Sequence, residues 1–133
     1  MIKTTIAEIL KERIRIADET QDNWDYGIEQ CWKKEIDILT NDIEESVSYF
    51  LNDCSDEDFF WIAEIFEEVI EKTQSKKMLQ CFRTRLSFVN PEKYNQDTFV
   101  SKHMRKWVDY AEYVRSVSMD IEYAEGRIEE GNQ

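Results

Sequence analysis

Three glycines and one proline punctuate 133 residues. A β-sandwich or barrel needs turn residues every few positions, so this scarcity sets aside most all-β architectures. Glu, Ile and Lys are abundant instead, and Glu and Lys sit readily in helices. Apolar positions recur at steps of three and four, the period of a helix buried along one side. The expected fold is all-α: a compact bundle of five to six helices forming a single domain over 1–133, with a long C-terminal helix.

The periodicity predicts a first helix over about 3–18, with Ile6, Ile9, Leu10, Ile14 and Ala17 inward. A second, over about 23–39, carries Trp24, Ile28, Cys31, Trp32, Ile36 and Leu39 on one stripe, and Gly27 weakens its first turn. Asn41 followed by Glu44 fits the capping box of a third helix over about 42–52. Ser55 is placed to cap a fourth over about 56–73, and Ser75 a fifth over about 75–88. A loop follows, containing Pro91. The last helix runs from about 96 to 125 or beyond, on a stripe of Phe99, His103, Trp107, Tyr110, Val114, Val117, Ile121 and Ala124.

The formal charge is −12, and residues 42–71 alone contribute eleven acids and no Lys or Arg. Residues 72–106 lean the other way, with nine bases against Glu92 and Asp97, so part of the acid is expected to be neutralised internally. A protein lacking a basic footprint is not built to grip phosphates, so direct nucleic-acid binding is not expected. An acidic surface suits a basic protein partner. No apolar run approaches the roughly 18 residues of a membrane span. The N-terminal MIKTTIAEILKERI is charged throughout and does not read as a signal peptide. Cys31, Cys54 and Cys81 are odd in number, far apart and outside any CxxC, which suggests buried, reduced thiols in the cytoplasm.

The densest acid lies in SDEDFFWIAEIFEEVIEKTQ, residues 55–74. On a regular helix Phe59, Ile62, Ala63, Phe66, Val69 and Ile70 form the core stripe. Glu64, Glu67, Glu68 and Glu71 fall opposite, with Phe60 among them and Trp61 at their edge. An aromatic anchor ringed by carboxylates has the composition of a protein-binding surface. The candidate contact residues are Asp56, Glu57, Phe60, Trp61, Glu64, Glu67, Glu68 and Glu71. Three other readings stand beside this one: a neighbouring helix covering Phe60 and Trp61, a homodimer formed through them, or an acidic face that is only solvated.

Catalytic motifs are absent from the sequence. Asp42 with Glu45, and Glu64 with Glu67, are carboxylate pairs at i, i+3 of the kind that hold Mg²⁺ or Mn²⁺ in helical hydrolases. No recurring basic set for phosphate accompanies them, and no metal or other cofactor is expected. DCSDEDFF alternates oxygens but lacks the glycine of a calcium loop. His103, the only histidine, sits within an apolar row and reads as structural.

FFWIAEIFEEVIEKTQSKKMLQCF, residues 59–82, resembles a segment of bacterial immunity proteins of polymorphic-toxin systems, including those of contact-dependent growth inhibition. The resemblance rests on the aromatic pair Phe60 and Trp61, the small-plus-acid Ala63 and Glu64, and Phe66 to Glu68. It continues through Lys72 to Ser75 and the apolar turn Met78 to Phe82. Where the family carries Tyr-Pro in the next loop, this chain carries Asn90 and Pro91. The resemblance implies a protein without catalysis of its own that binds a cognate toxin, often a basic nuclease, and occludes it. Against it stand a metal-dependent hydrolase using the paired carboxylates, and an acidic adaptor that mimics nucleic-acid charge.

Overall fold

The computed structural model describes residues 2–20, 22–91 and 110–129. Every regular element among them is helical. Helices α1 (Ile2–Thr20) and α2 (Asp25–Asn41) form an antiparallel hairpin. Next come α3 (Ile43–Asn52) and α4 (Asp56–Ile62), then a 3₁₀ turn (Ala63–Ile65) leading into α5 (Phe66–Thr73). α6 (Lys76–Leu86) packs on α3, and α7 (Tyr110–Glu125) packs on α5 and α6. The predicted long last helix is described only over its C-terminal half, and Phe99, His103 and Trp107 lie outside the described residues.

Capping sets the helix starts. Ser55 Oγ accepts from the Asp58 amide, and Ser75 Oγ accepts from that of Met78. At the third helix the cap is Asp42, not Asn41: its carboxylate accepts from the Glu45 amide, while Asn41 completes α2. Asp42 and Asn41 are both good caps, and the structure shows α2 running one residue past the point where a capping box on Asn41 would have ended it.

One core draws on every helix. At its centre the Phe50 ring meets Phe59, Phe66 and Phe82 edge-on at 6.0, 6.5 and 5.4 Å, and Phe66 stacks on Phe82 at 3.8 Å. The free cysteines are all buried. Burial pushes the Cys54 thiol up to about 12 and the Cys81 thiol to about 11, so neither is a thiolate near neutral pH.

The fourth predicted helix is broken by the 3₁₀ turn, although its sequence has no Gly or Pro there. A straight helix buries one stripe, whereas here Phe59, Trp61, Ile62, Ala63, Ile65 and Phe66 are all buried. Tightening to three residues per turn re-phases α5 relative to α4, and Ile65 within the turn is covered as well as the regular stripe. α5 then lies between α2 and α7. Its end is tied down by Gln74, in the left-handed region at φ 52, which donates to the Arg127 carbonyl (2.9 Å) and accepts from the Glu129 amide (2.8 Å).

Candidate functional site

The break disperses the acidic face that a regular wheel would assemble. Asp56 turns inward: Arg85, itself buried, donates to its carboxylate at 2.6 Å and to the Cys54 carbonyl at 2.8 Å. The Asp56 carbonyl accepts from Tyr113 Oη at 2.6 Å, fixing α7 to the start of α4. Trp61 is buried, not at the surface, because Arg13 lies over it, the guanidinium carbon 5.2 Å from the ring centroid. Phe60 is half-buried, its ring 5.1 Å from that of Tyr113. Glu57 is exposed.

Glu64 also departs from the other glutamates. It takes a two-pronged bond from Arg13, Nε to Oε2 at 2.8 Å and Nη2 to Oε1 at 3.0 Å. Glu67 and Glu71 are gathered by Arg127, at 2.7 and 2.5 Å. Glu68 stays exposed. α7 then brings Asp120, two turns beyond Tyr113, up to this group. Burial, followed by the charges of Glu67, Glu64 and Glu68, pushes the Asp120 carboxyl up to about 6. Among the described residues Glu68 and Asp120 have no ion pair. The seam between α5 and α7 therefore holds more carboxylate than its one guanidinium balances.

The carboxylate pairs weighed as metal ligands do other work. Asp42 caps α3, Glu64 holds Arg13, and Glu67 holds Arg127. Among the described residues no group of three or more acids, cysteines or histidines is placed to hold a metal ion. Internal neutralisation by the basic segment is real: Lys77 pairs with Glu44, and Arg85 with Asp56.

A second charged assembly lies at the corner between α1 and α2. Arg13 is 4% exposed and serves both Glu64 and Asp22, the latter through Nη1 at 2.7 Å. Asp22 stands at φ 62, a left-handed conformation that Asp tolerates better than most residues. Burial works against the Arg13 charge, but hydrogen bonds to Glu64 and Asp22 outweigh it and raise the pKa above the ordinary arginine value. Glu35 is fully buried, and neither of its oxygens has a hydrogen-bond partner. Burial foremost, then the Glu64 charge, pushes its carboxyl up to about 9, with Arg13 only partly opposing. Two carboxylates already share that one guanidinium, so a third is held protonated.

This corner opens as a cleft of about 350 Å³, with walls that include Arg13, Asp22, Asp25, Glu29, Trp32 and Glu64. Trp24 and Tyr26 flank Asp25 and are 45% and 66% exposed. Trp24 was expected on the inward stripe of α2. Its ring lies instead over Gly27, where an added Cβ would meet Cε3 at 2.3 Å. The glycine expected to weaken the helix is thus what lets the indole lie flat against it.

Neither Arg13, Glu35 nor Asp120 was among the candidate residues. For the first two a signal was present in the sequence: each interrupts an apolar stripe, Arg13 between Leu10 and Ala17, and Glu35 between Cys31 and Leu39. The chain matches no family model, and no curated protein or solved structure is similar enough to it to indicate kinship.

Proposed function

We propose that the chain is a cytoplasmic bacterial immunity protein that binds a cognate toxin, a basic nuclease, and occludes its substrate-binding surface. One observation carries the reading. Of a net charge of −12, residues 42–71 supply −11, and the fold adds Asp120 to the carboxylates of α5 without a matching cation among the described residues. Uncompensated charge of one sign lowers stability and is retained where it serves an encounter with the opposite sign. Within the eight contact residues weighed from sequence, the outward-facing set is Glu57, Glu67, Glu68 and Glu71, with Phe60 at the seam. These carboxylates would pair with the Lys and Arg residues a nuclease uses on phosphate, excluding its substrate by charge and by bulk.

Capture of the tagged protein from its own cells at low salt, with mass spectrometry of what comes with it, tests the reading. The expected result is one stoichiometric, basic protein, toxic when expressed alone and harmless when co-expressed. A partner that is acidic, or that is equally harmless alone, overturns it.

A further inference from the structure

The outward face of α7 supports an inference that does not depend on the reading above. Tyr113, Val117, Ile121 and Ala124 fix the inward side of this helix, and all four are buried. At about 100° per residue, Ala111, Arg115, Met119, Glu122 and Tyr123 fall within about 120° of one another on the opposite side. All five are exposed. Met119 is 39% exposed and Tyr123 55%, so two large apolar side chains stand in solvent between a cation and an anion.

Arg115 is the odd one among the arginines. Arg13, Arg15, Arg83, Arg85 and Arg127 each hold a carboxylate. Arg115 is the one basic residue of α7, in a helix with Glu112, Asp120, Glu122 and Glu125, yet its guanidinium reaches the Met119 sulfur at 3.9 Å, a weak acceptor. Among the described residues neither Arg115 nor Glu122 has an ion pair. In a chain of net charge −12, an unpaired arginine beside exposed apolar surface calls for an acid from outside.

The spacing says which acid. Arg115 and Glu122 lie seven residues apart, about 10 Å along the axis. Laid against a second α7 running the other way, each Arg115 comes opposite the partner's Glu122, with the two-fold axis passing beside Met119. The two Met119 side chains then meet, and Tyr123 lies beside the partner's Arg115, where a guanidinium can cover its ring. A parallel pair would set arginine against arginine and glutamate against glutamate. A basic partner would leave Arg115 unpaired, and an acidic one would meet the charge of the whole chain. A second copy satisfies both ends of a stripe that is itself neutral.

We propose that α7 pairs antiparallel with α7 of a second copy, giving a two-fold homodimer in which Arg115 meets the partner's Glu122 around an apolar contact of Met119 and Tyr123. This is not the dimer through Phe60 and Trp61 weighed from the sequence: Trp61 is buried, and Phe60 packs on Tyr113. A contact between two single helices buries less than a standard interface of about 1,200 Å² or more, and the net charge opposes it, so the dimer is weak and concentration-dependent.

Sedimentation equilibrium on the full chain, from about 1 µM to about 1 mM, tests this. The wild type is expected to pass from monomer to dimer within that range. Arg115→Glu and Glu122→Arg move the net charge in opposite directions, and each is expected to weaken the dimer by about tenfold or more. The double variant Arg115→Glu, Glu122→Arg restores opposite charges only in an antiparallel pair, and is expected to return to within about threefold of the wild type. Tyr123→Ser is expected to weaken the dimer without a change of charge. The inference is overturned if the wild type stays monomeric throughout, or if any of these three single variants dimerises as tightly as the wild type. It is equally overturned if the charge-swapped chain is as weak as the single charge variants.

Discussion

Glu35 offers the sharpest energetic prediction. The residue is fully buried, its oxygens are unpartnered, and the one guanidinium in reach is committed to Glu64 and Asp22. Its carboxyl is held up at about 9 against an ordinary 4.5. A raised carboxyl favours folding below its unfolded pKa, and that contribution is lost as pH rises toward the folded value. Between those limits the native state binds a proton that the unfolded chain has released, so stability falls with pH by about 1.4 kcal/mol per unit from this group alone. At pH 7 the gap is about 2.5 units, which corresponds to about 3 kcal/mol. Glu35→Gln keeps the shape of the neutral acid and removes the titration. The variant is therefore expected to exceed the wild type by about 3 kcal/mol at pH 7 and to match it near pH 4.5. Urea unfolding followed by far-ultraviolet circular dichroism, run on both proteins across that range, reads the difference directly. An offset independent of pH, or a variant less stable at pH 7, would refute a protonated Glu35.

Other outcomes follow from the packing. Glu64→Ala strips Arg13 of its two-pronged partner while leaving the guanidinium buried, and is expected to lower unfolding free energy by about 3 kcal/mol in the same assay. Phe66→Ala removes the ring stacked on Phe82 and is expected to cost about 3–5 kcal/mol. Gly27→Ala forces the Trp24 indole off the helix; because that ring is already half exposed, the expected readout is a red shift in tryptophan emission with a stability change of no more than about 1 kcal/mol.

How much of this was legible in the sequence depends on what kind of signal carried it. The apolar period gave the helices, because burial of one side is a local demand repeated every turn; Phe59, Ile62, Phe66, Val69 and Ile70 are all buried as that period requires. The fate of Glu64 was not legible. A wheel assumes a constant step, and the 3₁₀ turn at Ala63–Ile65 answers to helices far away in the chain, which have to cover Ile65. Trp61 was assigned to the edge of the acidic arc and Asp56 outward because the residues that cover them, Arg13 and Arg85, lie far away in the chain. Arg13 and Glu35 were visible as charges within apolar stripes, and read together they anticipate a buried ionic cluster. Asp120 was not visible as a site residue, since only the packing of α7 on α5 makes it a neighbour of Glu67 and Glu68.

The central claim is that an acidic surface draws in a basic protein. The measurement that tests it most directly is the association rate of the wild-type chain with its captured partner as a function of ionic strength. Raising salt from about 0.01 M to about 1 M shortens the screening length from about 30 Å to about 3 Å. The association rate is expected to fall by tenfold or more across that range while dissociation changes far less. An association rate that stays flat would contradict it.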